Sequence, residues 1–231
     1  MDIFDSKEFW AAIIGAIVGG FIAALTQWFF AWSQRKYQER ALATSLLLKL
    51  GKLTATLIVT KQHVDACFAE AGDVGADTQP WQILTPIANL ANPIHFTSDE
   101  LSLLLAQAND NIFGLVLGMD DRHNDIISIM HSFQEKRDDI TRKLEPHRIV
   151  ERVVGDRVDV LYPPQLMRDL SPYIIDLNSI VDHVRTHLPR DADTARTATE
   201  RAQTLLKNRL KLKFRLQVND PSANNPPSLG T

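Results

Sequence analysis

One cysteine, Cys67, stands among 231 residues, so no internal disulfide braces this chain. A lone thiol suits a reducing compartment, and its place in an apolar helical pattern reads as a buried, free side chain. Glycine and proline are sparse, at 10 and 11, which excludes collagen-like and low-complexity builds. Neither sign of charge dominates: 25 basic and 28 acidic side chains leave a formal net charge of -3. Nothing global therefore steers the chain towards a nucleic acid or an acidic partner. Also missing are a P-loop, a dinucleotide fingerprint, a nucleophile elbow and the paired-cysteine spacing of a zinc site. Those absences remove the commoner nucleotide and hydrolase enzymes, and no cofactor or metal is expected.

What the chain has instead is one long uncharged run. Phe9–Trp32 reads FWAAIIGAIVGGFIAALTQWFFAW, with no ionisable side chain between Glu8 and Arg35. Its 24 residues would span roughly 36 Å as a helix, against a hydrocarbon core of about 30 Å. Trp10 near one end and Trp28 and Trp32 near the other suit the headgroup layers. The run is too long for a secretory signal, begins acidic rather than basic, and is bulky where cleavage would fall. A retained membrane anchor is the reading, in an inner or plasma membrane. Arg35, Lys36 and Arg40 follow the run and only Lys7 precedes it, which places the N-terminus outside and the bulk of the chain in the cytoplasm. The expected organisation is an outer stub at 1–8, a span at 9–32, a cytoplasmic helical domain at 33–218 and a disordered tail at 219–231.

Two rows of small residues run down the span, Ala11, Gly15, Gly19, Ala23 and Ala12, Ala16, Gly20, Ala24. Both keep i, i+4 spacing and lie on adjacent strips of one helix. Small side chains let membrane helices approach closely, so a homo-oligomer is expected through this face. Thr26 and Gln27 are polar and either bond across helices or mark the interface.

The rest reads as an all-α bundle. No proline lies between Trp28 and Glu70, and Leu46, Leu50, Leu53, Leu57, Thr60, Val64 and Cys67 step by three and four, so the span continues as one long helix. Proline and glycine then break residues 71–96 into a connection with short turns near Trp81–Leu84 and Ile87–Leu90. Thr97 and Glu100 form a capping box for a helix to about Ala108, with a bend or restart at Asn109-Asp110-Asn111. A second seam follows, Ile112, Val116, Met119, His123, Ile126, Met130, Phe133, Arg137, Ile140 and Leu144, ended by Pro146. Residues 149–162 are β-branched around Gly155-Asp156 and read as a short hairpin. A helix from Pro163-Pro164 to Leu188 carries Leu166, Leu170, Tyr173, Leu177, Val181, Val184 and Leu188. Pro189-Arg190-Asp191 is expected to separate it from a last helix, roughly 191–217.

Four groupings carry candidate chemistry. Lys207, Arg209, Lys211, Lys213 and Arg215 form a basic run suited to anionic lipid or nucleic acid. Nucleic acid is the weaker fit, because Phe214 is the only aromatic among them. Arg142 and His147, in RKLEPH, match an R-x4–6-H spacing and resemble the motif of HEPN-type ribonucleases, although Lys143 stands where that family carries a small polar residue. That resemblance implies a helical dimer in which the Arg stabilises phosphate and the His moves a proton during RNA cleavage. His183 and His187 are i, i+4 on a helix, a spacing open to a metal but without a clear third ligand; Asp176 or Asp182 would have to serve. Asp120, Asp121, His123 and Asp125 cluster in sequence, yet helical spacing spreads them round the cylinder. The function expected is a membrane-anchored, self-associating scaffold or membrane-perturbing effector with a cytoplasmic protein partner. The alternative is a membrane-tethered HEPN-like ribonuclease using Arg142 and His147.

Overall fold

The computed structural model describes residues 7–72, 78–108, 110–154 and 157–212. They form an all-α protein with one small hairpin: α1 Lys7–Glu70, α2 Pro80–Ile83, α3 Ser98–Gln107, α4 Asp110–Leu144, a 3-10 turn Glu145–His147, β1 Ile149–Val154, β2 Arg157–Leu161 and α5 Pro164–Leu210. Residues 1–6 and 213–231, which hold most of the expected outer stub and all of the expected tail, lie outside the described residues, as does the Gly155-Asp156 turn.

The helix α1 is unbroken for 64 residues, about 96 Å at 1.5 Å per residue. Its two halves live differently. Beyond residue 42 it contributes Leu46, Leu50, Leu53, Leu57 and Val64 to the core, as their three-and-four spacing predicts. From residue 14 to 38 its side chains are all exposed. Cys67 ends the buried row half-exposed, not buried, because it lies on the last turns of α1 beside the loop residue Thr85.

Against α1 lies α5, running antiparallel. Val184 and Leu188 border one groove with Lys61 and Val64. Further along, the Thr54 and Thr199 hydroxyls hydrogen-bond at 2.8 Å, and Thr54 donates to the Ala195 carbonyl at 3.3 Å. At the far end Arg40 meets Leu210. The small buried side chains Ala192, Ala195, Ala198 and Ala202 leave room for this close approach, and the paired threonines satisfy one another inside it.

Two expectations about α5 are corrected. Pro172 and Pro189 both lie inside one continuous helix, so Pro189-Arg190-Asp191 separates nothing. The face around Pro189 is buried on both sides, at Leu188 and Ala192, and that packing outweighs the lost backbone hydrogen bond. Arg185, whose carbonyl would have received that bond, is exposed, and its guanidinium lies 4.0 Å from the Phe68 ring of α1. Tyr173 is also not a core residue. It is 54% exposed beneath the Lys143 ammonium, 4.8 Å from the ring centroid, while neighbouring Ile174 turns inward. The helix is described to Leu210, short of the expected 217, and Lys211 ends it in the left-handed region at φ 53.

The remaining elements close the bundle. The connection before α3 drops Trp81, Leu84, Ile94 and Phe96 into the core and runs along the flank of the bundle, from Thr85 beside His63 to His95 beside Lys49. Asn109 lies outside the described residues, and the chain restarts at Asp110 as α4. The seam of α4 buries Val116, Met119, Ile126, Met130, Phe133 and Ile140. β1 and β2 pair antiparallel from Ile149↔Leu161 to Val154↔Arg157, with a bulge between Val150 and Arg152.

Candidate functional site

The feature that separates this molecule from an ordinary bundle is the free half of α1. Residues 14–38 are exposed without exception. They include Ile17, Phe21 and Trp28 at 66%, 65% and 67% exposure, and from 14 to 32 only Thr26 and Gln27 are polar. A continuous exposed apolar surface of this size marks a membrane or partner contact. The helix is long and apolar enough to cross a membrane, with a window of mean hydropathy 1.9 of which no part is buried.

Its end facing the bundle is chemically marked. Phe29 and Trp32 stack with ring centroids 6.3 Å apart, and the Lys36 ammonium lies 3.6 Å over the Trp32 ring. Arg35 and Glu39 pair at 3.2 Å one turn later. Thr26 donates its hydroxyl to the Ile22 carbonyl of its own helix at 2.8 Å, so that donor is satisfied locally.

Ala11, Gly15, Ala16, Gly19, Gly20, Ala23 and Ala24 lie in this exposed half; the side chain of Ala12 lies outside the described residues. A Cβ added at Gly15, Gly19 or Gly20 would meet nothing within 4 Å. Among the described residues no contact therefore uses these glycines, although each weakens a helix by roughly 0.5–1 kcal/mol relative to alanine. Carried along α1 at about 100° per residue, the small-residue face lies roughly opposite the face that packs on the bundle. It runs instead into the exposed stripe Tyr37, Ala41, Leu48, Ala55 and Val59.

At the same level the fold adds something the sequence did not reveal. The Arg40 guanidinium donates to the Leu210 carbonyl at 3.1 Å, across 170 residues. The C-terminal end of α5 thus sits beside the first packed turns of α1. Lys207, Arg209 and Lys211 are exposed there; Lys213 and Arg215 lie outside the described residues. An antiparallel α1–α5 pair would have predicted this meeting, but the expected break at Pro189 hid it.

The other sequence candidates are scattered over the bundle. Arg142 and His147 are both exposed, one at the end of α4 and bonded to Asp139, the other in the 3-10 turn. His183 and His187 stack with ring centroids 4.5 Å apart beside the Arg122–Asp191 ion pair, in an open groove of about 260 Å³. Among the described residues no three His, Cys, Asp or Glu side chains are placed to hold a metal. Asp121 and Asp125 are exposed, and Asp120 instead accepts from Asn124 at 3.1 Å. Among the described residues Arg137 reaches no seam carboxylate; it donates to the Leu84 carbonyl and so ties α4 to the connection before α3.

Two buried ionisable groups are shifted. Burial pulls the His123 imidazole below its ordinary value, against the opposing pull of Asn124 and Asp120. Burial pushes the Glu100 carboxyl up. The bonds it accepts from Lys49, Ser45 and the Thr97 N–H, with the Lys49 charge, together outweigh that and hold it below the usual carboxylate value. Sequence reasoning also missed Thr85, a loop residue whose hydroxyl lies 3.2 Å from Cys67 Sγ and 3.3 Å from His63 Nε2. Only a known path for the connection before α3 would have revealed it. Among known protein families, curated proteins and solved structures, none matches this chain.

Proposed function

We propose that this protein is a single-pass membrane-anchored scaffold whose free α1 half crosses the bilayer and gathers copies side by side. The observation that carries the reading is the unbroken exposure of residues 14–38 on a helix that holds a window of mean hydropathy 1.9. In water such a surface would be costly, at about 25 cal/mol per Å²; in lipid it is at home. The charge bias of Arg35, Lys36 and Arg40 orients the bundle to the cytoplasm, in a bacterial-type inner membrane.

Self-association is supported by three unemployed glycines and by phase. Because the small-residue face points away from the bundle core, two copies can meet along α1 with their bundles on the outside. The exposed stripe Tyr37 to Val59 then extends the contact beyond the membrane. The output of such an assembly is to hold cytoplasmic partners at one membrane position, or to perturb the membrane where the gathered spans leave a lumen.

The test is the double substitution Gly15→Leu and Gly19→Leu, with particle mass measured in detergent or native lipid. The expected outcome is a fall to the mass of one chain while the protein still sediments with membranes. An unchanged oligomer mass sinks self-association through this face, and recovery of the intact chain in the aqueous supernatant sinks the anchor itself. Dye leakage from protein-loaded vesicles separates a perturbing assembly from a silent scaffold.

A further inference from the structure

We infer that the membrane-facing end of the bundle carries a second lipid contact, a basic collar of Lys207, Arg209 and Lys211 from α5 with Lys36 from α1 that engages the phosphates of anionic lipid headgroups. The inference rests on the reading that the free half of α1 crosses a bilayer.

Position comes first. Trp32 marks the end of the apolar cylinder, and Arg40 lies eight residues further, about 12 Å along the axis. The bond from Arg40 to the Leu210 carbonyl fixes the end of α5 at that depth. The antiparallel run of α5, from the groove shared by Leu188 and Val64 through Thr199–Thr54 to Leu210–Arg40, points that end at the membrane. A lysine side chain adds several ångströms of reach, and an anionic leaflet attracts cations across a Debye length of about 8 Å at physiological salt.

Charge comes second. Cations near a helix C-terminus are explained in part by the negative end of the macrodipole. Here Arg40 already serves that end by binding the last carbonyl. Lys207, Arg209 and Lys211 are left exposed, and no carboxylate lies within ion-pair reach of them among the described residues. The acid close by on α1, Glu39, is held by Arg35 one turn away. Phosphodiester oxygens are the matching acceptors, taking paired hydrogen bonds from a guanidinium and single ones from an ammonium. The left-handed backbone at Lys211 brings α5 to a stop.

The experiment uses the full chain reconstituted in vesicles of phosphatidylcholine alone, or of phosphatidylcholine with phosphatidylglycerol, and follows amide exchange across 204–212. Exchange is expected to slow by about tenfold or more in the anionic vesicles, on the scale of roughly fivefold per engaged charge. The slowing should vanish at about 1 M salt, where screening acts over about 3 Å. It should also vanish in the Lys207→Gln, Arg209→Gln, Lys211→Gln variant, which changes exposed side chains and should insert normally. Inorganic phosphate added to neutral vesicles should not reproduce it; if it does, the ligand is free phosphate and the lipid assignment is overturned. Equal exchange in both vesicle types, with the chain inserted, overturns the collar and leaves the anchor standing. Failure to insert in either vesicle overturns the anchor and the collar with it. Salt-sensitive binding of single-stranded RNA by the solubilised chain, with no lipid dependence, overturns the collar in favour of nucleic acid.

Discussion

His123 is fully buried in the α4 seam, with Nδ1 2.9 Å from Asn124 Oδ1 and Nε2 without a partner among the described residues. Charging it there would be costly, which is why its pKa falls below 6.5. Unfolded chain takes up that proton more readily than folded chain as pH drops. The stability tied to this neutral imidazole is therefore complete above about pH 6.5 and is lost as pH falls through the lowered folded value. His123→Leu should shrink the drop in melting temperature between about pH 7.5 and about pH 5.5, as thermal unfolding would read it. A drop of unchanged size would place the acid sensitivity elsewhere. Sequence showed His123 and Arg137 as interruptions of an apolar seam. It did not show their surroundings, because Asn124 also binds the Ile94 backbone and Arg137 binds the Leu84 carbonyl. Both partners belong to a loop whose path no periodicity encodes. The capping box of Thr97 and Glu100 was legible because its partners are three residues apart; Lys49 and Ser45, which complete that site from α1, were not.

Among the elements, α1 and α5 teach opposite lessons. The length of α1 followed from the absence of proline and from unbroken three-and-four spacing, and the hairpin from its β-branched run about Gly155-Asp156. The continuity of α5 did not follow, because local rules give proline a strong breaking signal while the countervailing term is tertiary. Leu188, Ala192 and Ala195 are each at most 2% exposed, so interrupting the helix there would unpack the interface with α1. Pro189 is thus tolerated, not required. Pro189→Ala should restore a backbone hydrogen bond to the Arg185 carbonyl and raise stability by about 1–3 kcal/mol in urea unfolding. A loss of stability would mean that the ring itself fills space in the groove it lines beside Lys61 and Phe68.

For the molecule as a whole, the proposed orientation rests on three cations after the span and is open to direct chemistry. In a Cys67→Ser background, Asp65→Cys puts a thiol at an exposed position of the packed half. A membrane-impermeant maleimide should label it only after the cells are broken. Labelling of intact cells would invert the topology and remove the cytoplasmic setting of the bundle. The architecture was largely readable because apolar runs and helical seams are one-dimensional signals. The meeting of α5 with the base of the free helix was not, since it joins residues 170 apart.

The unbroken rod from the free half into the bundle leaves no joint to absorb motion. Trp32 and Glu70 are separated by about 57 Å of straight helix. In the proposed bilayer setting, a lean of about 10°, ordinary for bilayer helices, would swing the distal tip by about 10 Å. Thinning or thickening of the lipid sheet would thus arrive at the far end of the rod as a lever stroke.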